Sequence, residues 1–429
     1  MDSTLQTTIP NQNSNPYANW KSKTALFFGS QAISLFGSSL VLYAIIWYIT
    51  LTTTSGVMTT LIILCSFVPQ LVISFFSGVW ADKYNRKMLI ILADGGIALA
   101  TLALIVYMLA GNESIAALLF IAAVRSVGAG IQMPAVNAII PQIVPQEHLI
   151  RVNGINGSLQ SIVNLATPAV AGAIFIYGEI YNIMMIDVIT AVIGIGILFL
   201  IPIPKHKRAE TKVETNYFTD LKEGFKYSAN HSFLKPLFTI YGLFTILCVP
   251  ACFLNILMVT QVFGENYLYL TLNEISFFIG MLLGGFIIGT WGGFKNRIKT
   301  MFVGLLAFGI FTFGFGLTQT LWIYLILMAF VGLFMPFVNS PITSLIQEKI
   351  EPEMQGRVFS MMQIVFTFLA PLAMLFFGPL ADIVPVQTLV VYCGIGIILT
   401  AIAIVFNKKF WKQGKFTAKK TEDLPESMS

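Results

Sequence analysis

Charge is scarce in this sequence. Of 429 residues only 10% are Asp, Glu, Lys or Arg, against 56% hydrophobic, and mean hydropathy is +0.80. A soluble domain of this size carries far more charge, so a water-soluble fold is excluded. Histidine is rarer still: His148, His206 and His231 are the only three, each in a polar connection between apolar runs. There is no phosphate-binding Gly-Lys-Ser/Thr loop either, so no enzyme constellation is assembled and no catalytic residue is assigned. Any ATP-driven step would need a partner chain. The four cysteines, Cys65, Cys248, Cys252 and Cys393, all fall in apolar runs. Cys248 and Cys252 share a helix face but have no His or carboxylate near them in sequence. They read as buried thiols, and neither a metal, a disulfide framework nor a cofactor is expected. The polar first twenty residues lack the charged-then-apolar pattern of a removable signal peptide. The formal charge of +5 is scattered between apolar runs, which excludes nucleic acid as a partner.

Long apolar runs are what the sequence has in abundance. Six of spanning length read as 25–49, 58–80, 88–110, 115–140, 157–177 and 182–201. Six more read as 237–259, 272–291, 300–317, 321–340, 359–380 and 388–406. In lipid the backbone must satisfy its own hydrogen bonds, so each run is expected to be a helix. The expected fold is an all-α integral membrane protein of two six-helix halves. Its parts are a tail (1–24), an N-terminal bundle (25–201), a middle loop (202–236), a C-terminal bundle (237–406) and a second tail (407–429). Every Lys and Arg except Arg125 falls on the side that carries both termini, while the opposite connections hold Glu113, Glu179 and Glu265. By the positive-inside rule both termini are expected in the cytoplasm.

The halves echo each other, as transporter repeats do. Met133-Pro134-Ala135-Val136-Asn137 recurs as Met335-Pro336-Phe337-Val338-Asn339, and Arg151-Val152 as Arg357-Val358. Between the second and third runs stands Gly78-Val79-Trp80-Ala81-Asp82-Lys83-Tyr84-Asn85-Arg86-Lys87, read as a tight polar turn. Gly78 would let a neighbouring helix approach closely. Asp82 is an acceptor able to cap a facing helix start. Arg86 and Lys87 are cations at the membrane edge, and Arg can grip a carboxylate with two prongs. The pattern returns weakened as Gly289, Trp291, Asn296 and Arg297, with Gly293 at the Asp82 position.

Charges within the runs are informative, because a charge at bilayer depth costs at least ~2.5–3.5 kcal/mol. Asp94, Arg125, Asp187 and Glu274 stand there and are the candidates for proton coupling. Counted from a hairpin about Gly111–Ser114, Asp94 and Arg125 differ in depth by ~6 Å. An ion pair between them is therefore open, either as coupling machinery or as a structural pair. Asp187 and Glu274 have no cation near in sequence, which suits a reversible proton carrier, and Asp187 is favoured; Glu274 can also be read as a helix-start acid at the interface. Neutral polar residues, Gln31, Ser34, Asn137, Gln160 and Asn164, mark a candidate substrate-facing wall. Gln160 and Asn164 are four apart and share a helix face. The many Phe and Met residues (36 and 17) offer adaptable apolar surface for bulky ligands.

The Gly78–Lys87 stretch closely resembles the loop signature of the major facilitator superfamily of transporters. Arg125-Ser126-Val127-Gly128-Ala129-Gly130 resembles that superfamily's fourth-helix motif, associated with proton coupling. Thr167-Pro168-Ala169-Val170-Ala171-Gly172 is similar to the fifth-helix motif of drug antiporters, with Thr167 and Ala171 in place of glycines. Asn19–Lys23, Gln31–Leu35, Ala44–Tyr48, Pro134–Ala138, Ser158–Ser161, Ile186–Val188, Glu274 with Gly280–Gly285, and Gly356–Val358 resemble bacterial macrolide-efflux proteins. The resemblance implies a bacterial inner-membrane protein exporting drugs by proton antiport and alternating access. Export of a siderophore or endogenous metabolite is the alternative, and a passive channel or membrane scaffold a more distant one. The expected partners are a small-molecule substrate, protons and the bilayer, with the chain working as a monomer.

Overall fold

A helix satisfies backbone hydrogen bonds within its own segment, the simplest way to cross hydrocarbon. The computed structural model describes residues 19–203, 226–228 and 230–414, and among these there is no strand. Six long helices come first: α1 Trp20–Thr53, α2 Gly56–Lys83, α3 Arg86–Leu109, α4 Ile115–Ile143, α5 Leu149–Tyr177 and α6 Ile180–Leu200. After the middle connection come α7 Leu234–Cys252, α8 Asn255–Phe263, α9 Tyr267–Trp291, α10 Arg297–Leu317, α11 Leu321–Lys349, α12 Pro352–Ile383, α13 Val386–Phe406 and the short α14 Lys408–Gln413. Among the described residues, twelve spans are long and apolar enough to cross a membrane, with α7 and α8 forming one of them. The tail 1–18, the stretch 204–225 and the tail 415–429 lie outside the described residues.

Two expected segments are shaped differently. The run 237–259 is interrupted at Phe253–Leu254, where one helix stops and α8 restarts with Asn255. The Asn255 side chain accepts from the Ile256 N–H at 2.8 Å, which satisfies one of the donors that a new helix start leaves open. The stretch expected as a ten-residue turn is mostly helix: α2 continues to Lys83 and α3 begins at Arg86, leaving only Tyr84 and Asn85 between them. Among the described residues nothing lies within 4 Å of where a Cβ on Gly78 would stand. Close approach occurs instead between α9 and α11, where a side chain at Gly280, Gly284 or Gly332 would overlap the facing backbone.

The sequence echo is matched by an echo in packing. α3 packs on α4 and α6, and its counterpart α10 packs on α11 and α13. The chain divides into two compact units: Met1–Leu42 with Cys65–Thr167 and Glu179–Glu210, and Tyr43–Leu64 with Pro168–Gly178 and Thr211–Ser429. In the first, Phe27, Phe28, Ile90, Ile139, Ile140, Ile143 and Leu198 form a buried cluster from α1, α3, α4 and α6. The second unit takes in the end of α1, the start of α2 and the end of α5. There Phe175 of α5 stacks on Tyr267 of α9 at 3.9 Å between ring centroids.

Candidate ligand cavity and buried charges

Within the first unit, α1, α2, α4 and α5 surround about 760 Å³ of open space. Its polar lining is almost entirely carboxamide: Gln31, Gln70, Gln132, Asn137, Asn156 and Gln160. Between them stand Phe28, Leu35, Met133, Val136, Leu159 and Val163, which give the wall an apolar body. Three of the five residues expected on this wall, Gln31, Asn137 and Gln160, are gathered here. Ser34 is instead buried and hydrogen-bonds Asp94. Asn164 is exposed outside the lining, directly after Val163, the last residue of α5 that faces the space. Gln70, Gln132 and Asn156 were not foreseen. The signal for two of them was present: Asn156 lies four residues before Gln160, and Gln132 lies two turns beyond Arg125.

The buried charges pair differently from the expectation. Arg125 makes its ion pair with Asp187 of α6, through Nη1 and Oδ2, with side chains 9% and 1% exposed. The same Nη1 reaches the Thr101 hydroxyl, and Nη2 donates to the Ser38 carbonyl at 3.3 Å. Thr101 and Ser38 hydroxyls also donate to Asp187, at 3.1 and 3.3 Å. The Asp94–Arg125 pair is thus replaced, and hairpin register is the reason. Thr101 lies opposite Arg125, and Asp94 opposite Gln132, whose Nε2 donates to Asp94 Oδ1 at 2.7 Å. Asp94 and Thr101 are seven residues apart, so Asp94 sits about 10 Å too far along α3 to meet Arg125. Asp187 is likewise not the cation-free carboxylate expected of it.

One buried and one half-buried carboxylate remain without an ion-pair partner among the described residues. One is Asp94, 3% exposed, held by Gln132 and Ser34. The other is Glu274 in the first half of α9, which takes a hydrogen bond from the Tyr43 hydroxyl of α1 and a long one (3.4 Å) from Asn273. Asn273 in turn accepts from the buried Tyr324 hydroxyl at 2.7 Å, so Glu274 ends a chain of neutral donors. A carboxylate held only by neutral groups can lose its charge to a proton without stranding a cation.

The loop motif ties down helix ends. Asn85 caps α3, accepting from the N–H groups of Lys87 and Met88. Arg86 Nε donates to the Ala81 carbonyl at 2.8 Å and Nη1 to that of Ala138 at 2.7 Å. Lys87 Nζ donates to the carbonyls of Phe199 and Ile201, where a cation meets the negative end of α6. The side chain of Asp82 lies outside the described residues.

A family model described as Major Facilitator Superfamily matches residues 27–374. The chain is 31% identical over 393 residues to Macrolide efflux protein A of Streptococcus pyogenes, covering 90% of this chain and 96% of that one. It is 31% identical over 318 residues to Macrolide efflux protein A of Enterococcus faecalis, covering 72% and 97%. Among solved structures, the nucleoside transporter NupG aligns with a TM-score of 0.67 at 15% identity, covering 91% and 99%. The inward-open xylose transporter XylE from E. coli aligns with a TM-score of 0.67 at 11% identity, covering 94% and 98%. These two likenesses speak to fold alone.

Proposed function

The chain belongs to the Major Facilitator Superfamily, and from that premise we propose that it is a secondary active exporter of bulky, largely apolar molecules of macrolide type, working by proton antiport and alternating access. The observation that carries this reading is the 31% identity to a macrolide efflux protein along 90% of this chain and 96% of that one. The cavity chemistry supports it. Carboxamides set in an apolar wall offer donors and acceptors without charge, which suits a large ring bearing hydroxyl, ether and carbonyl oxygens.

Gln132 lines the cavity and also holds Asp94, so one side chain touches both ligand space and a cation-free acid. We assign the exchanged proton to Asp94 and Glu274, and a fixed electrostatic brace to Arg125 and Asp187. Protonation of Asp94 weakens its bond from Gln132 and frees that amide for ligand. The membrane potential supplies ~2.3 kcal/mol per charge per 100 mV, so one or two protons drive useful accumulation outside. Gly78, Asp82, Arg86 and Lys87 belong in this reading to the cytoplasmic gate. The one-sided distribution of Lys and Arg supports a bacterial cell-membrane protein with both termini in the cytoplasm. The chain carries its own substrate path and is read as a functional monomer.

The test is accumulation of a radiolabelled macrolide in efflux-deficient cells expressing the chain. The expected result is low accumulation that rises to the vector control when a protonophore is added. Accumulation equal to the control from the start overturns the macrolide assignment and turns the search to endogenous metabolites and siderophores. Efflux that survives the protonophore overturns proton coupling.

A further inference from the structure

The last turn of α12 carries Asp382, a poor place for an acid. The C-terminal end of a helix is its negative pole, and a carboxylate there is repelled by its own helix. Asp382 is engaged elsewhere. Its Oδ1 accepts from the Gly56 N–H, and its Oδ2 accepts from the Val57 N–H at 3.1 Å and the Ser55 hydroxyl at 3.0 Å. Those are the opening groups of α2, at the positive pole of that helix and among the N–H groups a helix leaves unsatisfied. The carboxylate that destabilises the end of α12 thus caps the start of α2, and the two helices come from different sequence halves.

The backbone around this cap is fitted to it. A Cβ on Gly56 would overlap the Gly378 carbonyl and lie 2.8 Å from the Ala381 Cβ. A Cβ on Gly378 would overlap the Thr60 hydroxyl and lie 3.1 Å from the Gly56 carbonyl oxygen. Two glycines therefore let the end of α12 sit directly on the start of α2. The sequence of this seat is Gly378-Pro379-Leu380-Ala381-Asp382, and that of the loop signature is Gly78-Val79-Trp80-Ala81-Asp82. The same Gly-x-x-Ala-Asp pattern closes α2 on the side of the chain termini and α12 on the opposite side.

We propose that Asp382 is a positioning residue of the transport cycle, a latch that keeps the face opposite the chain termini shut by capping α2 and must let go each time that face opens. The proposal rests on alternating access. It names no substrate, so it can fail while the export reading stands. The latch is exposed at its rim and made of a single cap, strong enough to bias a two-state balance and weak enough to break in every cycle.

Paired spin labels report it on the purified full chain in nanodiscs. The labels go on Leu61→Cys in α2 and Ile383→Cys at the end of α12, both exposed, in a background with the four native cysteines replaced. Asp382→Ala is expected to raise the ratio of long-distance to short-distance populations about tenfold. Asp382→Asn keeps one acceptor and should shift it less, as should Ser55→Ala, while Asp382→Glu should restore part of the short-distance population. Should Asp382→Ala fail to fold, Asp382→Asn and Ser55→Ala still carry the test. An unchanged distribution in these variants overturns the latch, and a lowered Tm with unchanged distances reduces Asp382 to a structural brace. Efflux of labelled macrolide is measured separately. Its absence in the parent chain tells against the export reading and leaves the distance result standing.

Discussion

The two halves of the chain repeat one connection and differ in how it ends. After α2, Asn85 caps the next helix and Arg86 reaches back five residues to the Ala81 carbonyl. After α9, Asn296 caps the next helix and Arg297 reaches back five residues to the Gly292 carbonyl at 2.6 Å. The hydrogen bonds of the two loops match, yet α2 continues through the Asp82 position to Lys83. α9 instead stops at Trp291, and Gly292 and Gly293 take left-handed conformations, with φ of +74° and +77°. The second copy has become a glycine stop, a shape that leaves no helical position for an acid. The interiors differ further. The N-terminal half buries a cation with its counter-charge and keeps Asp94 beside its cavity, while the C-terminal half holds a half-buried Glu274 that, among the described residues, meets only neutral donors. A shared backbone plan has been kept, and charge has been placed on it unequally.

The largest expected effect comes from breaking the brace. Asp187→Asn or Arg125→Met leaves one buried group uncompensated and should cost about 3–5 kcal/mol, with a matching loss of folded protein. Arg125→Met with Asp187→Leu should recover much of it, as read by thermal unfolding in detergent. A double variant no more stable than the worse single one removes the brace role. Next, Gly293→Asp rewrites the second connection toward the first. It forces a side chain into a left-handed position, about 1–2 kcal/mol, and brings its Cβ to 2.8 Å from the Thr300 hydroxyl. If that variant is as stable as the parent, the glycine stop is not what separates the copies. Smaller still, Asn85→Ala and Asn296→Ala should each cost about 1 kcal/mol, and by equal amounts if the two caps are equivalent. The smallest change in stability is expected for Glu274→Gln, within about 1 kcal/mol, because the amide still accepts from Tyr43. Its effect on transport is expected to be loss of protonophore-sensitive efflux, and efflux at parental level would move the proton to Asp94.

The fold was legible because hydrocarbon allows few choices: run length and charge placement are enough to count spans. The repeat was legible too, since Asn85 and Asn296 keep the same capping bonds that their sequence positions suggest. Gln31, Asn137 and Gln160 could be found as polar residues in apolar runs. The charge pairing could not. It depends on hairpin register between α3 and α4 and on which face of α6 meets them, and both are set by packing across helices distant in sequence. A shift of two turns was enough to exchange Asp94 for Asp187. Asp382 was passed over for a related reason, since its value lies in the start of another helix more than three hundred residues earlier.

Six carboxamides around one space also bear on ligand choice. Rotating the end of a Gln or Asn by half a turn exchanges its NH₂ for its oxygen and leaves its volume and charge unchanged. Each wall position can therefore answer a ligand oxygen or a ligand N–H without any backbone rearrangement. A wall of fixed charges would instead reject a compound whose polar groups offered the wrong sign at those positions. Seen this way, the cavity sets a limit on ligand size and greasiness and a loose rule on polarity, which under the proposed export function would keep chemically modified members of one ligand class within its reach.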